Sequence, residues 1–363
     1  MSNEQIYLDH NATSPLRPEA REAMIEAMGP PLNASSIHDA GRKARMLVEG
    51  ARMQIASALG ARQADLTFTS GATESNNMVL AGYQTIITSA VEHSAIIAPR
   101  PDGVRIAVDA QGVIDLGALD KCLSALDEDA KPTTLVSVIA ANNETGVLQP
   151  LDEIGRICQT HQVDFHSDMV QMAGKIALDM AIDGLSFASF SAHKVGGPSG
   201  IGALWMKAGK TLPAFLVGGG QEQGRRPGTE NVLGIVGFGA AMEAAYHGLA
   251  SYQEMGQWRD VAEADLLASR DDVTVFGSDA KRLPNTSSVA LAGVTSSTAL
   301  MSLDIKGFCL SSGSACSSGK VKASHVIEAM GYAHLAPHVL RISSGWNTQK
   351  EDWQKLVKVL STL

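Results

Sequence analysis

From about residue 62 to residue 206, short apolar runs alternate with amphipathic helical stretches, and this alternation leaves few folds open. Strand-like runs stand at Leu66–Thr69, Thr85–Thr88, Val104–Val108, Leu135–Ala140, Val163–His166, Ser186–Phe190 and Gly202–Met206. Helical patterns at Ser70–Ala81, Asp115–Asp127 and Leu151–His161 lie between several of them. Strand and helix in alternation predict an α/β fold, with a mainly parallel sheet covered on both faces. Ligands on such sheets bind beyond the carboxyl ends of the strands, so the residues that follow each strand are the ones to inspect for chemistry.

The flanks read differently. Pro18–Met28 and Asp39–Leu59 predict helices before the alternating region, and Asn231–Ala250 and Gln253–Ser269 predict long helices after it. From about Val273 strand-like runs (Val273–Phe276, Ser287–Leu291, Val339–Ile342) mix with helices at Thr295–Leu303 and Gln349–Leu360. That change predicts a large domain over residues 15–250 and a smaller α+β domain built from residues 251–363 together with residues 1–14. With 363 residues, 45% hydrophobic and 18% charged, the chain can bury such cores. A net charge of -9 argues against direct nucleic-acid binding. No run approaches the ~18 apolar residues of a membrane span, and the N-terminus shows no secretory signal. Four cysteines without a CxxC pair point away from a disulfide framework or structural zinc and towards a reducing, cytoplasmic setting.

Six segments carry chemistry. In Ser191-Ala192-His193-Lys194-Val195-Gly196-Gly197-Pro198 a lysine directly follows an apolar strand. Desolvation there favours the neutral amine that Schiff-base chemistry requires, while Ser191 and His193 can donate to a phosphate; an ordinary loop lysine is the alternative. In Thr69–Asn77 small residues leave a strand and open a helix, offering free backbone N–H groups and the Thr73 hydroxyl to an anion; plain Ser/Thr capping looks the same. Asp168 closes a buried-looking strand in Phe165–Gln171, and a buried acid needs a cation such as a protonated pyridine nitrogen. Its alternatives are a helix cap and a metal site with His166. His93 follows the strand near Ile86 and can stack on a ring or move protons. Arg341, in an apolar strand, needs an anion, either a substrate carboxylate or a structural ion pair. Finally, Cys316 sits among Ser and Gly in Ser311–Gly319, a setting in which a thiolate can act. Cys158, in a helical pattern, reads as core, and Cys122 and Cys309 read as inert.

With these residues assembled, the chain resembles the cysteine desulfurases of the NifS/IscS type, within the class V aminotransferase-like, pyridoxal-phosphate-dependent enzymes of fold type I. The resemblance rests on Tyr7–Thr13, Ser70–Asn77, Asn142–Gly146, His166–Gln171, Ser191–Lys194, Gly218–Glu222, Arg225–Asn231 and Ser311–Cys316, in that order along nearly the whole chain. It implies that Lys194 bonds covalently to pyridoxal 5'-phosphate, Asp168 pairs with the pyridine nitrogen, Gln171 with the ring hydroxyl, and His93 stacks on the ring. Ala72, Thr73, Ser191 and His193 would hold the phosphate, with Thr229 contributed by the neighbouring subunit of a homodimer. Asn143 and Arg341 would hold the carboxylate of L-cysteine. Cys316 would take its sulfur as a persulfide, leaving alanine, and pass it to an acceptor protein such as an iron–sulfur scaffold, or into thiolation. Selenocysteine or cysteine-sulfinate lyase activity, or transamination, stands as the alternative on the same fold, distinguished by its having no need for Cys316. Ser199 and Met169 depart from the residues usual in relatives, and the chain lacks the longer C-terminal tail some relatives use for docking.

Overall fold

Seven strands of the alternating region form one sheet. The computed structural model describes residues 5–313 and 323–363, so Cys316 lies outside the described residues. In chain order the elements of the first half are β1 (Ile6–Tyr7), α1 (Pro18–Ala27), α2 (Asp39–Leu59), β2 (Leu66–Thr69), α3 (Ala72–Leu80), β3 (Thr85–Ser89), α4 (Ser94–Ile97), β4 (Val104–Ile106), α5 (Leu116–Ser124), β5 (Thr134–Ser137), α6 (Leu151–Thr160), β6 (Asp164–Asp168), β7 (Leu185–Ser191) and β8 (Gly202–Met206). The sheet runs β2-β8-β7-β6-β5-β3-β4. All neighbouring pairs from β7 to β4 are parallel, whereas β8 is antiparallel to both β2 and β7. Five residues of β6 and seven of β7 are nearly all buried, as expected for strands covered on both faces. The chain therefore leaves β6 and β7 at the same edge, where Asp168 and Ser191 end the two strands.

The second half comprises α7 (Val232–His247), α8 (Leu249–Ser269), β9 (Val273–Val275), β10 (Thr286–Leu291), α9 (Ser296–Ile305), β11 (Phe308–Cys309), α10 (His325–Ala329), β12 (Val339–Ser343) and α11 (Lys350–Leu360). α7 is apolar along most of its length because it is enclosed there, packing on α1 and α2, whereas Glu243, Tyr246 and His247 near its end are exposed. Gly239 permits this, since a Cβ there would lie 2.7 Å from the Ala51 Cα. The helix boundary expected at residues 250–253 falls instead at Gly248, where the axis turns by 63°. Among the described residues no single helix is long and apolar enough to cross a membrane.

β9, β10 and β12 form an antiparallel sheet whose own core includes Leu8, Leu266, Val289, Leu340, Trp353 and Leu356. The N-terminal strand β1 pairs with β11, and Asp9 bridges to Ser343 of β12. The chain then crosses to the large sheet, where the Ser14 amide donates to the His193 carbonyl. Residues 8–14 thus lie as a strap between the two sheets.

Candidate active site

A cavity of about 490 Å³ opens at the carboxyl ends of β6 and β7. Ala72, Thr73, His93, Asn143, Asp168, Gln171, Ser191, His193, Lys194 and Arg341 all line it, so ten residues read as functional in the sequence converge on one space. Thr229 is exposed and lies off this wall. 

Lys194 ends a short turn after β7, and its Nζ donates to the carbonyls of Asn11 (2.5 Å) and Ala12 (2.8 Å). Among the described residues no carboxylate pairs with it. Burial, and secondarily the Arg341 guanidinium, lower its pKa to about 8, while Asp168 and Asp9 oppose the shift. The β7 end also brings Ser191 and His193 into the wall. His193 is held near pKa 4, chiefly by burial, and shares a 3.2 Å hydrogen bond with Thr13.

Asp168 is 5% exposed and, among the described residues, receives only neutral donors: Asn76 Nδ2 at 2.8 Å and the Val170 amide at 3.1 Å. The second bond closes a tight turn after β6; no helix follows before β7, so the helix cap weighed in the sequence is not what the structure shows. A metal with His166 is not supported, because the His166 ring nitrogens are engaged by Ser137 (2.8 Å) and Ser189 (3.0 Å). His93 likewise has a structural duty. Its Nδ1 accepts from the Ala95 amide at 3.1 Å, capping α4 and leaving Nε2 to carry the proton of the neutral ring.

At the opposite wall, α3 starts at Ala72, whose turn follows Gly71 directly off β2. The first amides of α3 have no partner within the helix and, with the helix dipole, favour an anion. Close approach of β8 requires Gly202, where a Cβ would stand 2.5 Å from the Phe190 carbonyl and 2.6 Å from the Gly71 Cα.

Arg341 sits in β12 at 4% exposure. Its Nη2 donates to Asp9 Oδ1 at 2.7 Å and its Nη1 to the Asn143 carbonyl at 3.3 Å, while Nε has no partner among the described residues. The structural ion pair weighed in the sequence is thus present, and a substrate carboxylate would share the guanidinium with Asp9. The Arg341 amide also holds Ser311 (2.7 Å), and Ser324 Oγ donates to Glu144 Oε2 (2.5 Å). The described ends flanking the Cys316 segment are therefore moored beside Asn143. Of the other cysteines, Cys158 is fully buried with its thiol pushed up to about 12, and burial also raises Cys122 and Cys309.

Four functional neighbours escaped the sequence reading: Asn76 on Asp168, Asp9 on Arg341, and Asn11 with Lys175 behind Gln171. Asn76, Asp9 and Asn11 act by contacts distant in sequence, which no local pattern announces, whereas Lys175 reaches Gln171 from four residues on. Asp9 and Asn11 did fall inside a segment carrying the resemblance.

A buried carboxylate without a cation, an amine with lowered pKa and a helix N-terminus face one cavity, which is the donor set of a phosphorylated pyridine aldehyde. A family model described as aminotransferase class-V matches residues 6–356. The chain belongs to that family. It is 38% identical to the cysteine desulfurase IscS of Dictyoglomus turgidum, across 99% of this chain and 94% of that one. A solved NifS-like protein from Rickettsia africae superposes with a TM-score of 0.91 at 35% identity, covering 99% of each chain. A structure described as SspA in complex with cysteine superposes with a TM-score of 0.80 at 27% identity, covering 95% of this chain and all of the other. Class membership and these likenesses agree with the α/β fold expected from the strand–helix alternation and with the fold type that the resemblance implied.

Proposed function

We propose that this chain is a cysteine desulfurase, using pyridoxal phosphate to move the sulfur of L-cysteine to Cys316 and leave alanine. The observation that carries the reading is that Lys194, an amine with pKa near 8, and Asp168, a buried acid, face one cavity, and among the described residues the first pairs with no carboxylate and the second meets only neutral donors. The near full-length likeness to relatives named cysteine desulfurase supports the choice of reaction.

Lys194 would hold the cofactor covalently, Asp168 would meet its ring nitrogen, Gln171 its ring oxygen, and His93 its face. Ala72, Thr73, Ser191 and His193 would receive its phosphate. Bound there, pyridoxal phosphate supplies the electron sink that loosens bonds around the α-carbon of an amino acid. Arg341 and the Asn143 loop orient the substrate carboxylate. Lys194 would be the group to take the α-proton of the bound substrate, and general base help of this kind gives ~10²–10⁴-fold in rate. Cys316 is the proposed sulfur acceptor, forming a persulfide that divides the transfer into two steps. From it sulfur would pass to an acceptor protein, for which an iron–sulfur scaffold is the candidate the resemblance offers. Thr229, exposed and off this chain's cavity, is proposed to complete the phosphate site of a second copy in a homodimer.

Two variants test the assignment. Cys316→Ala is expected to keep the visible absorbance of bound pyridoxal phosphate while losing alanine and persulfide formation by about 10²-fold or more. Turnover at the wild-type rate would remove Cys316 from the mechanism. Borohydride should fix the cofactor to Lys194, as read by peptide mass, and not to the more deeply buried Lys175.

A further inference from the structure

Lys175 is 2% exposed, yet among the described residues it pairs with no carboxylate and does not line the cavity. A buried amine in such a place must be satisfied by hydrogen bonds. Its Nζ donates to Gln171 Oε1 at 2.7 Å and to Asn11 Oδ1 at 2.8 Å. Burial, reinforced by the charges of Lys194 and Arg341, pushes its pKa well below the ordinary lysine value. Loss of the proton would leave both bonds intact, since a neutral amine still carries two N–H groups.

Together with neighbouring backbone carbonyls and side chains, these two bonds fix which way the two amides face. Gln171 Nε2 donates to the Asn11 carbonyl at 3.0 Å, and a carbonyl only accepts, so the nitrogen of Gln171 must lie on that side. Its oxygen then falls to Lys175, and one N–H of Nε2 stays uncommitted on a residue that lines the cavity. Asn11 is fixed in the same way. Its Oδ1 accepts from Lys175 and from Asn285 (3.2 Å), and its Nδ2 donates to Thr286 (2.9 Å) and to the Asn143 carbonyl (3.2 Å). The Asn11 carbonyl also receives Lys194.

We propose that Lys175 is a positioning residue that locks the Gln171 and Asn11 amides so that Gln171 presents a donor to the oxygen of the bound cofactor ring. The proposal rests on the pyridoxal phosphate reading above and deepens it. An N–H at that position favours an electron-rich ring oxygen; a flipped amide would present a carbonyl and repel it. Lys175 is therefore expected to set cofactor affinity and the colour of the bound cofactor without touching it.

Lys175→Met keeps most of the length and the apolar stem but removes both hydrogen bonds, leaving Gln171 Oε1 without a donor and Asn11 Oδ1 with Asn285 alone. In the full-length holoenzyme, with fold checked by far-UV circular dichroism, it is expected to weaken pyridoxal phosphate binding by about tenfold or more and to shift the visible band or its pH midpoint. Gln171→Leu should show a comparable loss, and adding Lys175→Met to it should cost less than about twofold more. A folded Lys175→Met protein with unchanged affinity and band overturns the proposal, as does a loss that is undiminished in the Gln171→Leu background. If the methionine variant does not fold, Lys175→Gln carries the same cycle, because its shorter amide cannot reach both oxygens. A wild-type protein that shows no visible band, or is not fixed by borohydride at Lys194, instead overturns the cofactor reading itself, so the two failures are distinguishable.

Discussion

Lys194 is tuned by opposing neighbours. Burial and Arg341 favour its neutral amine, whereas Asp168 and Asp9 favour the ammonium, and the balance settles at about 8. The lowered pKa means that the protonated form still dominates at neutral pH but gives way as pH rises through 8. Because only the neutral amine attacks an aldehyde, the rate at which the apo chain takes up pyridoxal phosphate should climb between about pH 7 and 9 and then level. Asp168→Asn removes a charge that raises the lysine, so its midpoint should move to lower pH; Arg341→Gln should move it to higher pH. Stopped-flow absorbance across that range reads both shifts. A flat profile, or shifts of the opposite sign, would show that Lys194 is not the group being titrated. Several of these charges were legible in the sequence because each sits at a strand end or breaks an apolar run. The balance among them was not, since Asp9 and Asn76 reach the site from other parts of the chain and Lys175, four residues from Gln171, is tied to Asn11 as well.

At the level of elements, the antiparallel strand β8 is the unexpected part, and it packs against the Gly71 turn that opens the proposed phosphate wall. Gly202 begins it, packed so closely that the Phe190 carbonyl and Gly71 leave no space for a side chain. Gly202→Val would push the Gly71 turn outward, and with it the first amides of α3. Overpacking of this kind costs ~1–3 kcal/mol of stability, and affinity for pyridoxal phosphate is expected to fall by about tenfold while far-UV circular dichroism stays native. Unaltered cofactor affinity in a folded variant would separate β8 from the phosphate site. Strand polarity could not be read from Gly202–Met206, because a buried run looks the same in either direction. Length explains the other omissions. β1 and β11 have two residues each and α4 has four, too few for any period to show. The long elements α2, α6 and α11 agree with their sequence patterns to within about two residues, since each has a marked apolar stripe.

For the molecule as a whole, the N-terminal strap joins two sheets whose cores are separate, and the cavity lies where it crosses. Stability and chemistry are consequently exposed to the same buried charges. Glu92, next to His93, is the clearest case. It is completely buried; Oε1 accepts from Ser89 Oγ (2.5 Å) and the Ile139 amide (2.9 Å), while Oε2 has no partner among the described residues. Burial, with a smaller contribution from Asp168, raises its pKa from 4.5 to about 8. Below pH 4.5 both folded and unfolded chains hold the proton, so nothing is lost. Between there and about pH 8 the unfolded chain releases it and the folded chain does not, so stability falls as pH rises, by at most about 1.4 kcal/mol per pH unit from this one group. Glu92→Gln keeps the shape and removes the proton equilibrium. The variant is therefore expected to be less stable than, or equal to, wild type at about pH 5 and to gain on it steadily towards about pH 7.5, by an amount on the order of a few kcal/mol, read as a relative rise of several degrees in Tm. A difference in Tm between the two proteins that stays constant over that interval would mean that Glu92 is ionised in the folded chain and balanced by a cation.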